Sequence, residues 1–408
     1  MKRAAIALVL LGACSSEDPC ADVTGPCIAL TEGADAEEVQ TALIEVEPGG
    51  TVAFGKGTFE FEVDLSLDVD GVTIRGAGRD ETTLSFANQT SGPQGMLVTA
   101  NAFTIEDIGF EDSPGDALKV LGADGVTMRR VRVEWTGGPM VTNGAYGLYP
   151  VQCKNVLIED SIVLGASDAG IYVGQSTNIV VRNNVARNNV AGIEIENSFQ
   201  ADVTGNTATQ NTGGILVFNL PGLQVENGTG TRVYGNEVFE NNTPNFAPEG
   251  NIVGSVPTGT GIVLLAAHGV EIFDNDVRDH RSINIGIISY VPIGDPKDPS
   301  YDIYPTAIHI HDNRISGTSD RPSGDLGLAL IAAVGQIAPN GPLVVPDIAW
   351  DGVVDPARAG SEPDRICIRG NGDADFINLA WPLEDTMLPT RELAPHDCSH
   401  APLPAVQL

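Results

Sequence analysis

Residues 147–218 read GLYPVQCKNVLIEDSIVLGASD, AGIYVGQSTNIVVRNNVARNNV, AGIEIENSFQADVTGNTATQNT and GGILVF, three passes of one pattern and the start of a fourth. Gly147, Gly170, Gly192 and Gly214 mark the passes at spacings of 23, 22 and 22 residues. A fixed period of that size signals a solenoid, in which a short unit cannot bury its own apolar face and must stack on copies of itself. Within a unit, apolar and polar residues alternate, as at Ile171, Val173, Ile179 and Val181. Period 2 excludes helix, so the unit reads as a β-coil of two short strands.

The second strand can be followed well outside this block. Ile74, Ile105, Met128, Ile158, Val181, Val203, Val233, Ile272 and Ile310 fall in one column, at spacings from 22 to 39 residues. The shortest spacing is the bare coil and the excess is loop. Burying one such side chain is worth about 1.5–3 kcal/mol, so a column of them is a continuous core. With strands ~4.8 Å apart, the stack is an all-β rod of parallel coils.

Strings such as NGAYGLYPV, GASDAGIYVGQS, VAGIEIENS and GTGIVLLA carry a family likeness. Through them the chain resembles the single-stranded right-handed parallel β-helix proteins of pectin lyase-like fold, among them pectate lyases, mannuronan epimerases and the carbohydrate-binding-and-sugar-hydrolysis repeats. A nearer resemblance is to an uncharacterised bacterial family of β-helix repeat lipoproteins, over about residues 33–320. That likeness implies the right-handed fold, a place in the cell envelope and a second exported protein as a partner.

The chain divides into a lipoprotein signal peptide (1–13), a tether (14–32), the β-helix (33–320) and a C-terminal extension with an irregular cap (321–408). Lys2 and Arg3 precede a short apolar run, and Leu11, Gly12, Ala13 and Cys14 form a lipobox. Such a segment is read by the export machinery and is not a transmembrane helix. Cys14 is the expected lipidation site and the only expected membrane contact. Ser15 rather than Asp follows it, which points to the outer membrane. In an oxidising compartment Cys20 with Cys27, and Cys367 with Cys398, are plausible disulfides. Cys153 reads as an inert packed thiol.

The formal net charge is −32, and more negative once Lys2 and Arg3 leave. Nucleic acid is excluded as a partner, because phosphate contact needs a basic footprint. Polyanionic glycans are disfavoured unless a cation or a local basic patch intervenes. Residues 35–46 place Val39, Leu43 and Ile44 at helical spacing behind early acids, a short helix to cap the first coil. Asn184, Asn206, Asn236, Asn275 and Asn313 follow the second strand at one offset. They read as a structural ladder whose asparagines also supply the left-handed turn. Beyond residue 320 the runs GLALIAAVG, PLVVPDIAW and RICIRG add a last coil or two and a cap.

Counting along the first strand of each coil lists its outward residues. One row is Lys119, Tyr149, Tyr172, Glu194, Leu216 and Val263, and beside it run Leu121, Val151, Gly174, Glu196, Phe218 and Leu265. Insertions at 137–146, 219–230, 242–259 and 291–305 flank that strand as walls of a groove. Long loops beside a rigid face commonly carry binding. The expected ligand-binding set is Lys119, Tyr146, Tyr149, Tyr172, Glu194, Glu196 and Phe218, with tyrosine rings for a polysaccharide or oligosaccharide to stack on.

Catalysis is the alternative, with Tyr149, Tyr172, Glu194 and Glu196 as the catalytic candidates. Two carboxylates roughly 6.5–9.5 Å apart suit an inverting glycosidase. The epimerase and lyase element of the YGxDPHD type aligns with Tyr146 to Val151, but Tyr149 stands where that element has Asp and Val151 where it has His. A tyrosine base would need a cation, Lys119, to lower its phenol pKa from near 10. No metal site is assigned: His309 and His311 share a strand face in IHIHDN, but such pairs are usually surface residues. Five methionines and no cysteine cluster give no copper-handling signature. Asn371, Asp373 and Asp375 alternate like the start of a calcium loop without its bidentate Glu, so calcium is the one cofactor left open and a turn is preferred. The leading expectation is an exported lipoprotein whose groove binds a carbohydrate or a partner protein; an enzyme of lyase, epimerase or hydrolase type and a purely structural envelope rod are its rivals.

Overall fold

The protein is described by a computed structural model covering residues 18–317, 319–382 and 388–408. The lipobox and Cys14 lie outside the described residues. The repeat folds into parallel coils, and each coil of the 147–218 block carries three strands where the alternation shows two. Ala169–Gly174, Thr177–Arg182 and Val185–Arg187 make one coil, and Ala191–Glu196, Phe199–Thr204 and Thr207–Thr209 the next. The third strand is only three residues long, too short to display a period. First strands stack into an 11-stranded parallel sheet, and the second and third strands form a 20-stranded one.

The column read from the sequence is the observed register. Ile74 pairs with Ile105, Ile105 with Met128, Ile158 with Val181, Val203 with Val233 and Ile272 with Ile310. All are buried. The period-marking glycines have a steric cause. A Cβ at Gly147, Gly170, Gly192 or Gly214 would lie 2.5, 3.0, 2.6 or 2.6 Å from the carbonyl oxygen of the equivalent glycine one coil on. Only hydrogen fits between coils at that corner.

The asparagine ladder is present and runs one rung further. Each side-chain oxygen accepts from the backbone N–H of the asparagine one coil earlier, from Asn184 through Asn206, Asn236, Asn275 and Asn313 to Asn371, at 2.9–3.1 Å. Asn371 is thus a ladder rung, in keeping with the turn preferred for that stretch. The left-handed turn is made by the residue before each asparagine, at Asn183 (φ 56°), Gly205 (φ 65°) and Asp274 (φ 54°), not by the ladder residues. A second ladder, Asn189, Asn211 and Asn241, fills the corner that the repeat glycines leave open.

Helix α1 (Ala36–Glu45) covers the first coil, with Asp35 and Glu38 forming a capping box. Val39, Ala42 and Leu43 face the core, whereas Ile44, expected among them, is exposed. Of the C-terminal runs, GLALIAAVG lies within a second helix, α2 (Gly324–Ile337), packed on Ile283, Ala349 and Ile377. Ile348–Trp350, Ile366–Arg369 and Phe376–Asn378 continue the parallel stack. Cys20 bonds Cys27 and Cys367 bonds Cys398. Cys153 is free and buried, and burial raises its pKa to about 11. No described helix is long and apolar enough to cross a membrane.

Candidate functional site

The 11-stranded sheet presents the two outward rows as counted. Lys119 pairs with Tyr149, Tyr172 with Glu194, Glu194 with Leu216 and Leu216 with Val263; beside them Gly174 pairs with Glu196, Glu196 with Phe218 and Phe218 with Leu265. The rows are not one open groove. From Tyr172 to Leu265 they are buried beneath the chain's own loops, whose Val253, Val256, Phe246, Ile252 and Ile293 pack against Tyr172, Leu216 and Phe218. The flanking insertions are walls that close inward. They are pinned there by Asn251 Nδ2 donating to Asp168 Oδ2 (3.1 Å) and by the Tyr301 hydroxyl donating to the Asn219 carbonyl (2.5 Å). Glu194 and Phe218, expected to meet a ligand, therefore lie under this cover at 1% and 3% exposure.

What stays partly exposed is Lys119, Tyr146 and Tyr149, with Leu121 exposed beside them. The Tyr146, Tyr149 and Tyr172 rings stand 4.4, 4.7 and 4.9 Å apart, and the Lys119 ammonium lies 4.8 Å above the Tyr149 ring. Tyr172 turns across Gly174, where a Cβ would fall on its phenol, and its hydroxyl donates to Glu196 Oε1 at 2.6 Å.

Three acidic and amide side chains at this site carry no signal in the outward alternation: Asp116, Asp168 and Asn251. Asp116 opens its strand, Asp168 lies one residue before Ala169–Gly174, and Asn251 arrives on an insertion. Burial raises Asp116 to about 6, with Lys119 opposing. Burial, then the Glu196 charge, raises Asp168 to about 7, while hydrogen bonds from Tyr146 and Asn251 oppose. Burial likewise lifts Glu196 to about 7 against its Tyr172 hydrogen bond. Glu194 is pushed well above the carboxylate range, by burial first and by Asp168 and Glu196 next, and its Oε2 finds no partner among the described residues.

These carboxyls in turn hold the phenols up. Burial, then neighbouring carboxylates, raises the pKa of Tyr146, Tyr149 and Tyr172. A tyrosine base needs the opposite shift, so Lys119 does not activate Tyr149 in the way that mechanism requires. The arrangement is instead a set of neutral phenols and carboxyls raised toward neutrality, beside the Lys119 ammonium.

Residues 66–229 match the family model described as the right handed beta helix region. A search of curated proteins returns no match. Among solved structures, the chain is similar to the A-module of the Azotobacter vinelandii mannuronan C-5 epimerase AlgE4, with 19% identity over 70% of this chain and 85% of that one, TM-score 0.48. It is also similar to the polygalacturonase of Erwinia carotovora ssp. carotovora (12% identity, 72% of this chain and 94% of that one, TM-score 0.46) and to the alginate lyase of Paenibacillus sp. str. FPU-7 (16%, 71% and 95%, TM-score 0.44). By its repeat, its strand register and the family-model match over residues 66–229 alike, this chain folds as a right-handed parallel β-helix.

Proposed function

We propose that the protein is an exported binding protein that holds a carbohydrate at the partly exposed patch of Lys119, Tyr146 and Tyr149. The observation that carries this reading is the Tyr146 and Tyr149 ring pair, 4.4 Å apart and backed by the buried Tyr172 ring, at the end of the outward rows that the chain's loops leave partly uncovered. Phenol faces and hydroxyls suit a sugar's alternating apolar and hydroxyl faces. Asp116 nearby and the formal net charge of −32 favour a neutral glycan over a polyuronate. Export through the lipobox, with Cys14 as the lipid anchor to the outer membrane, is supported by two disulfides, which persist in oxidising compartments. A second exported protein is the other partner this surface would suit.

The test is a glycan array with the full chain, followed by calorimetry on the best neutral oligosaccharide. Tyr149→Ala should weaken binding at least tenfold with an unchanged circular dichroism spectrum. An array and a pull-down that both stay at background would remove the reading. Detergent partitioning of wild type and Cys14→Ser checks the anchor separately.

A second reading is favoured by Asp168 and Glu196, a buried, interacting carboxyl pair raised to about 7. Such a pair holds a proton near neutral pH, as acid and base catalysis of glycosyl transfer requires. It predicts turnover of the bound glycan that Glu196→Gln abolishes. The loop-covered stretch from Glu194 to Leu265 supports the structural rod instead, as far as that part of the face is concerned.

A further inference from the structure

A different face of the coil carries a second site. On the 20-stranded sheet, Asp202, Arg232, Glu271, His309 and Cys367 stand in one row, and Tyr234, Phe273, His311 and Arg369 in the next. Asp202 and Arg232 satisfy each other at 2.7 Å. The Tyr234, Phe273 and His311 rings stack nearly parallel at 4.8 and 5.3 Å, which fixes the plane of His311. The His309 ring lies 4.1 Å from it.

His309 is the anomaly. It is only 7% exposed, yet neither ring nitrogen has a hydrogen-bond partner among the described residues. Buried polar atoms are paired in folded proteins, and an imidazole left with two unpaired nitrogens is costly. The sequence reading of a surface histidine pair does not hold for this residue. One donor atom from each of Glu271, His309 and His311 falls within 4.8 Å of the others. The remaining atoms are already oriented: Asp312 Oδ2 meets His311 Nδ1 at 2.8 Å, and Glu271 Oε2 accepts from the Leu403 backbone N–H at 3.0 Å. A carboxylate on the far nitrogen of a histidine is the usual outer support of a metal ligand.

We propose that Glu271, His309 and His311 bind a divalent late transition-metal ion of the zinc class. Two imidazoles and one carboxylate are the donor set such ions prefer, and three protein ligands leave a further position for water or a ligand. That position has somewhere to open. A cavity of about 670 Å³ is lined by His309, His311, Asp312, Arg369, Asp397 and Ser399. The C-terminal tail closes over the same rows. It is tied by Cys398 to Cys367, the neighbour of His309 in register, and by the Leu403 and Val406 N–H groups to Glu271 and Asp202.

The experiment is equilibrium dialysis of the untagged, disulfide-intact full chain against zinc chloride, with metal counted by mass spectrometry. One zinc per chain is expected, held at micromolar or tighter concentration and not displaced by millimolar calcium or magnesium. His309→Gln and Glu271→Gln should each weaken zinc at least tenfold, while His268→Gln leaves it unchanged. Should the first two variants fail to fold, cobalt(II) substituted into the wild type decides, its visible bands reporting a low-coordinate nitrogen and oxygen shell. No stoichiometric zinc, equal binding by folded His309→Gln and wild type, displacement by calcium, or an octahedral cobalt spectrum would each overturn the site.

Discussion

The Tyr172 hydroxyl reaches Glu196 Oε1 at 2.6 Å although Tyr172 pairs in register with Glu194. The ring crosses the bare backbone of Gly174 to reach the neighbouring row. This diagonal contact binds the two outward rows into one buried polar unit, and its energetics are set by a proton.

The Glu196 carboxyl ordinarily titrates near 4.5 and is lifted to about 7 by burial. The folded state thus holds the proton more tightly than the unfolded chain, and the stabilisation is fully present below the unfolded pKa and lost as pH rises through about 7. Glu196→Gln removes that titration. Denaturant unfolding at pH 5 and pH 8 should show the wild type losing stability on the order of 2 kcal/mol more than the variant across that window. A variant that follows the wild type across both pH values would show that no proton is held there.

Tyr172→Phe deletes the one hydrogen bond that opposes the lift on Glu196. The carboxyl should then titrate higher still. Carbon-detected NMR titration of the glutamate side chains in wild type and variant reads the shift directly, and an unchanged or lower pKa contradicts the account.

Gly192→Ala tests why the repeat is marked by glycine. Its Cβ would lie 2.6 Å from the Gly214 oxygen and 2.8 Å from Asn211 Nδ2, so coils must part or the ladder must break. A cost of about 1–3 kcal/mol or more is expected from overpacking. Gly335→Ala, inside α2 with no atom within 4 Å of its Cβ, should be neutral or stabilising by up to about 1 kcal/mol. Urea midpoints that rank the two variants the other way would discard the steric explanation.

The coil and both outward rows were legible because a 22-residue period combined with period-2 alternation fixes the face and the neighbour of every residue. Lys119 and Tyr149 were paired by counting alone. Exposure was not legible in the same way. Whether Glu194 meets water depends on where residues 242–259 come to rest, and that is decided by the packing of Val253 and Val256 into one cluster with Leu216, which no local pattern encodes. Asp116 and Asp168 carry no such signal because they stand at strand edges, outside the alternation that marks a face. The burial of His309 is hidden from the sequence for a related cause. Outward on an isolated strand means exposed, but here the disulfide-tied tail lies over the outward rows.

Asn206 offers the sharpest test of the ladder. Its Oδ1 accepts from the Asn184 backbone N–H at 2.9 Å and from Asn184 Nδ2 at 3.0 Å, and its own Nδ2 donates to the Val181 carbonyl and to Asn236 Oδ1. All of these groups are buried, so Asn206→Ala strands several at once, each at about 1–3 kcal/mol. Asn206→Asp keeps the shape and the acceptor but turns the amide's donors into acceptors facing two oxygens, and it buries a charge. Urea midpoints at neutral pH should therefore rank wild type above Ala and Ala above Asp. The Asp variant alone should recover when acid protonates its carboxyl, because the proton restores one donor and removes the charge. An Asp variant as stable as wild type at neutral pH would mean that the ladder's donors contribute nothing.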